Sequence, residues 1–146
     1  MSVPEELPRS LRLLRDARRI AVVAHSPRLD RPWHAIASYL DDAGYEVSLV
    51  NPALDEALGR RCYDRVQELP HAVDLVDVFR LPWETPSVAE EAVAAGAGAL
   101  WLQLGIVSRR AEAIARAGGL EVVMDRCTMV DHRRLVALGE RAPRAP

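Results

Sequence analysis

Short apolar runs alternate along the chain with amphipathic stretches and clusters of breakers, a pattern that predicts alternating strands and helices. Leu11, Leu14 and Ala17 recur at helical spacing behind Pro8 and predict a short helix over Leu7–Arg18. Ile20-Ala21-Val22-Val23-Ala24 is a continuous apolar run of strand length, and the segment from His25 to Pro32 interrupts it with Pro27 and Pro32. From Pro32 onward Ala35, Ile36, Tyr39 and Leu40 form one helical stripe, which Gly44 ends. Glu46–Val50 reads as a second strand, stopped by Asn51-Pro52. Leu54–Leu69 has no clear period and reads as irregular or weakly helical, with turns at Leu58-Gly59 and Leu69-Pro70.

Ala72–Phe79 predicts a third strand whose alternation suggests one less apolar face. A helix is expected over Glu84–Ala95, a fourth strand over Ala99–Leu104, and a helix capped by Ser108 and reaching Ala117. Leu120–Met124 gives a fifth strand and Val130–Leu138 a short last helix. Strand and helix in alternation, with mostly short joints, predict an α/β fold: a doubly wound, mainly parallel five-stranded sheet, order 3-2-1-4-5, with helices on both faces. The 146 residues fit a single domain over 1–140, followed by a flexible tail over 141–146.

Charge and composition narrow the function. Nineteen basic residues against 21 acidic give a net −2, which argues against a nucleic-acid surface while leaving room for a locally positive cleft. Cys62 and Cys127 lie far apart and the four histidines are scattered, so neither a disulfide framework nor a metal site is expected. No run approaches the ~18 apolar residues of a membrane span, and Met1–Ser10 has no apolar signal core; a cytoplasmic address is the expectation.

Candidate chemistry gathers where open α/β sheets bind ligands, beyond the C-terminal strand ends. The first such loop, Ala24-His25-Ser26-Pro27 through Arg31, leads into a helix opened by Pro32-Trp33, whose free backbone N–H groups favour an anion. Ser26 offers a hydroxyl there, and Arg28 and Arg31 offer forked donors suited to phosphate. With no glycine between Ala24 and Trp33 it is not a standard dinucleotide fingerprint, and neutral Asn51-Pro52 after the second strand argues against NAD. Phe79 and Arg80 could cap a planar base and hold a phosphate, although Phe79 suits the core equally well. Gln103 shares a face with Trp101 and, if buried, needs partners; Cys127 follows the fifth strand without a histidine to activate it. No catalytic residue is assigned.

The strings Ser26-Pro27 with Asp30-Arg31-Pro32, Val50-Asn51-Pro52, Asp77-Val78-Phe79-Arg80, Trp101-Leu102-Gln103-Leu104-Gly105 and Met124-Asp125-Arg126-Cys127 carry a resemblance. In this order they are similar to the small single-domain CoA-binding proteins, Rossmann-like and related to the N-terminal domain of the succinyl-CoA synthetase α subunit. The resemblance runs from about Leu11 to Leu135. It implies coenzyme A or an acyl-CoA lying across the strand ends, with its diphosphate at the Ala24–Trp33 loop and its adenine near Asn51-Pro52 and Phe79-Arg80. It carries over binding and not ligase activity, which in the synthetase depends on a phosphorylated histidine in a further domain. Ala24 stands where that family usually has a glycine, His25 where it has a small residue, and Trp33 where a small polar one is common.

The expected function is therefore non-catalytic binding of coenzyme A or an acyl-CoA. A nucleotide-using enzyme (an oxidoreductase or acyl-transfer protein) and an interaction protein that kept the fold and lost the ligand are the alternatives. Nucleic acid and membrane are not expected partners, whereas a homo-oligomer or a protein partner is compatible with the chain.

Overall fold

A strand with parallel neighbours on both sides and helices over both faces has no wet side, and its sequence is then apolar without a break. The strand β1 (Arg19–Ala24) is such a strand, buried from Ile20 to Ala24. In the computed structural model, which describes residues 7–144, α1 (Arg9–Asp16) leads into β1. There follow α2 (Pro32–Ala43), β2 (Glu46–Val50), a hairpin of β3 (Glu56–Ala57) and β4 (Arg60–Tyr63), and β5 (Leu75–Phe79). The chain then forms α3 (Thr85–Ala94), β6 (Ala99–Leu102), α4 (Arg109–Ala117), β7 (Glu121–Val123) and α5 (Thr128–Ala137).

The α/β class stands, and the strand count and order are corrected. The sheet has 7 strands in the order β3-β4-β2-β1-β5-β6-β7, all parallel except the β3–β4 pair. Leu54–Leu69, read as irregular, supplies the hairpin, and β4 takes the place beside β2 through Leu49↔Cys62 and Val50↔Tyr63. The strand expected third, β5, lies instead on the other side of β1, in register from Ile20↔Leu75 to Ala24↔Phe79. The hairpin turns on Leu58 (φ 53°) and Gly59 (φ 71°), two consecutive positive φ values of the kind a two-residue hairpin loop needs. A leucine at the first of these positions hides the usual signal.

Side chains of one parity, Ile20, Val22, Leu75 and Trp101, pack under α1, α2 and α5. Those of the other parity, Ala21, Val23, Val76, Leu100 and Leu102, pack under α3 and α4 with Val88, Ala92, Ala111 and Ala115. The less apolar face expected for β5 does not exist: Asp77 is itself fully buried, on the face that α5 covers. The fourth strand ends at Leu102, two residues early, which leaves Leu104 exposed in the following loop.

Beyond α5 the chain returns to the core at Ala142. Ala142 is buried, and its carbonyl accepts a hydrogen bond from His132 Nε2 at 2.8 Å. A carbonyl can only accept, so Nε2 carries a proton and donates to it, while Nδ1 is hydrogen-bonded to the Tyr39 hydroxyl at 2.7 Å. Residues 1–6 and 145–146, on which parts of the leader and tail expectations fall, lie outside the described residues. Among the described residues no helix is long and apolar enough to cross a membrane.

Arg60 clamps the hairpin to the body of the domain. Its guanidinium forks onto Asp41 of α2 at 3.2 and 2.9 Å and donates to the Val47 carbonyl at 2.8 Å. Arg60→Ala is expected to lower stability by about 1–3 kcal/mol, measured as a drop in urea midpoint at unchanged slope.

Candidate functional site

Strand order reverses between β1 and β5, and a crevice opens there beyond their C-terminal ends. It is a cleft of about 820 Å³, within the ~300–1,000 Å³ common for small-molecule sites. One wall is the loop after β1 and the start of α2, with His25, Ser26, Arg31, Pro32, Trp33 and Ile36. Opposite stand the ends of β5 and β6 and their loops, with Phe79, Arg80, Leu81, Pro82, Gln103, Leu104, Gly105 and Ile106, and Cys127 beside them.

The loop keeps its shape without a glycine because it is pinned from several sides. Asn51 is buried, and its side-chain amide donates to the Ser26 carbonyl at 2.9 Å while its oxygen accepts from the Ala53 N–H at 3.0 Å. Trp33 is 2% exposed and donates from Nε1 to the Arg28 carbonyl at 3.1 Å. The Arg80 guanidinium reaches the Ala24 carbonyl, with Nη2 at 3.1 Å. Ala24 is buried within the α1–α2–α5 core, so its methyl fills core space and does not line the cleft.

Pairing separates the two loop arginines that the sequence treats alike. Arg28 is locked onto Asp30 by two hydrogen bonds, at 3.0 and 2.6 Å, and it does not line the cleft. That contact holds the Asp30 carboxyl below its usual range. Arg31 lines the cleft at the N-cap of α2 and has no carboxylate partner among the described residues. Arg80 is likewise without one, and burial lowers its pKa from the ordinary guanidinium value. His25 brings Nδ1 within 3.2 Å of Glu84 Oε1, although the angle does not make a hydrogen bond; the Glu84 oxygen instead accepts from the Leu81 N–H at 3.0 Å.

Of the residues expected at the site, the structure thus gathers His25, Ser26, Arg31, Pro32, Trp33, Phe79, Arg80, Gln103 and Cys127 around one cleft. Pro27, Arg28, Asn51 and Pro52 lie outside its lining, as does Ala24. Sequence reasoning did not place Leu81 or Leu104 at the site; a leucine within two residues of a strand's C-terminal end was the available signal. It also passed over Asp77 and Thr128 as the partners that a buried Gln103 required. Gln103 Nε2 donates to Asp77 Oδ1 at 2.7 Å and to Thr128 Oγ1 at 2.8 Å, and the Thr128 hydroxyl donates to Asp77 Oδ2 at 2.9 Å. Burial pushes the Asp77 carboxyl up to about 7, against the opposing pull of its hydrogen bonds to Gln103 and Thr128.

Comparison with known proteins adds a family. A family model described as a CoA binding domain matches residues 18–133. An uncharacterized protein of Bacillus subtilis, YneT, is 40% identical over 120 residues, covering 82% of this chain and 89% of that protein. Among solved structures, a hypothetical protein from Pyrococcus horikoshii OT3 superposes with a TM-score of 0.83 at 35% identity, over 92% of this chain and 99% of that one. The dinucleotide-forming acetyl-coenzyme A synthetase 1 of Ca. Korarchaeum cryptofilum superposes at 0.67 and 24% identity, over 77% of this chain and 27% of that one. At that identity the likeness is one of fold alone.

Asp77 makes stability depend on pH in a definite direction. Unfolded, its carboxyl titrates near ~4; folded, near about 7. Between these values the native state keeps a proton that the unfolded chain has released, so this group's contribution is full at low pH and is lost as pH rises towards 7. The melting temperature of Asp77→Asn is expected to lack this decline, and the difference between wild type and variant across pH 4.5–8 measures it, at a few kcal/mol in order of magnitude.

Proposed function

The chain belongs to the family of CoA binding domains, and on that premise we propose that it binds coenzyme A or an acyl-CoA, without chemistry of its own, in the cleft at the ends of β1, β5 and β6. The observation that carries this reading is the cleft's mixed lining. Arg31 and Arg80 line it without carboxylate partners among the described residues, with Arg31 at the N-terminus of α2, and Leu81, Leu104 and Ile106 add apolar surface. A ligand that is polyanionic at one end and drawn out into a weakly polar arm at the other suits such a cleft. The helix N-terminus adds its own preference for an anion.

His25 approaches Glu84, and Cys127 has no hydrogen-bonded base among the described residues, an arrangement that favours holding a ligand over transforming it. Arg80 is proposed to hold phosphate while keeping its contact with the Ala24 carbonyl. Asn51 and Trp33 are proposed to act on the ligand indirectly, through the shape of the loop. In this reading Asn51-Pro52 and Arg28 are removed from the set of ligand contacts.

Calorimetric titration of the ligand-free protein with coenzyme A tests the reading, with NAD and ATP as controls. Micromolar or tighter binding is expected, weakened about 10–100-fold in Arg31→Ala, the worth of one charge-assisted contact. Arg28→Ala is expected to stay within about 3-fold of wild type, because an exposed pair such as Arg28–Asp30 contributes little. No heat with coenzyme A, or equal losses in the two variants, sinks it.

A further inference from the structure

We propose that Gln103 is a fixed hydrogen-bond acceptor on the floor of the cleft, that it reads an amide N–H of the ligand's pantetheine arm, and that it thereby sets which way the ligand lies. This rests on the coenzyme A reading and deepens it.

A glutamine amide has two N–H donors and one oxygen. Both donors of Gln103 are used within the protein, on Asp77 Oδ1 at 2.7 Å and Thr128 Oγ1 at 2.8 Å, and the Thr128 hydroxyl closes the ring onto Asp77 Oδ2. With Asp77 ionised, above pH about 7, the ring fixes the amide's orientation: turned over, Gln103 would set its oxygen against a carboxylate oxygen in a site closed to water. Oε1 is therefore the atom left over. It accepts no hydrogen bond from the described residues, it is not sealed off as a buried orphan, and Gln103 lines the cleft while being only 4% exposed.

What such an atom accepts is restricted. Phosphate oxygens and amide carbonyls are acceptors and would face like with like, so the anionic end of the ligand is turned away from Gln103 towards Arg31 and Arg80. Gln103 follows β6, two strands across from β1, and a strand spacing of about 4.8 Å puts it roughly 10 Å along the cleft from the loop after β1. At that distance from the phosphates a coenzyme A presents its arm, which carries amide N–H groups. Phe79, Leu104 and Ile106 line the cleft nearby and offer no side-chain donor or acceptor of their own.

The test uses protein labelled with ¹³C and ¹⁵N in glutamine, at about pH 8.5, where Asp77 is ionised. The chain has Gln103 and one other, Gln67, which is exposed and serves as internal control. Coenzyme A is expected to shift the Gln103 side-chain carbonyl carbon and leave its slowly exchanging amide protons in place. Adenosine 3′,5′-bisphosphate, which has the charged end without the arm, is expected to bind and leave that carbon unmoved. In a second measurement, at the same pH, Gln103→Met is compared with wild type, thermal unfolding checking that the variant is folded. The substitution is expected to weaken coenzyme A about 3–10-fold, the worth of one neutral hydrogen bond, and to leave the bisphosphate within about 2-fold. A Gln103 carbon that responds to both ligands, or that stays still while other cleft residues respond to coenzyme A, overturns the role of Gln103 and spares the binding site. If coenzyme A perturbs no cleft residue, the binding reading falls and this inference with it.

Discussion

β1 pairs with β2 on one side and β5 on the other, both in parallel, and helices close over both faces of the resulting sheet. In that arrangement every backbone group of the strand is used by the ladder and every side chain meets other side chains, so nearly all polar chemistry is pushed out to the strand ends. The reversal of order beside β1 then decides which end matters, because neighbouring connections depart to opposite faces and leave a crevice between them. Asp77 is the exception that this constraint makes costly. Its carboxylate sits on the face that α5 covers, and among the described residues its side-chain donors are Gln103, just past β6, and Thr128 of α5, so the strand, the loop after its neighbour and the helix meet at one polar point under the cleft.

A loop that faces a ligand has to be held open in advance if binding is not to be weakened by ordering it. Here that work falls to side chains which, judged by type alone, look like ligand contacts. Asn51 holds the Ser26 carbonyl, Trp33 holds the Arg28 carbonyl, and Arg80 holds the Ala24 carbonyl. Three separate elements thus grip the backbone of the first loop, and the absence of glycine there is compatible with a defined shape. What remains lining the cleft is sparse: guanidinium groups without a carboxylate partner among the described residues, a serine, an imidazole, a thiol, the Gln103 side chain and apolar surface.

The central strands could be read from the sequence because burial on both faces leaves a bare apolar run, and α2 because its stripe lies between Pro32 and Gly44. The β3–β4 hairpin could not. Its strands are 2 and 4 residues long, rich in charge, and joined by Leu-Gly in place of the usual Asn-Gly. Missing β4 also misplaced β5, since the position beside β2 then looked vacant. The cleft's location followed from the strand-end rule, whereas its membership did not. Whether Arg28 or Arg31 is free depends on Asp30 turning back by two residues, and whether Asp77 is exposed depends on Thr128, 51 residues away. Residue type does not encode either fact.

The opposite ends of the strands carry a different kind of contact. There Asp74 receives the N–H groups of Arg18 and Arg19, each at 2.9 Å, Arg9 of α1 reaches the Val122 carbonyl, and Arg18 holds the carbonyl of Arg144. The stitches that close the domain are thus gathered at one pole and the ligand-facing loops at the other. Replacements among those loops can retune what is held while the far pole continues to fasten the chain, so a scaffold of this kind is cheap to repurpose.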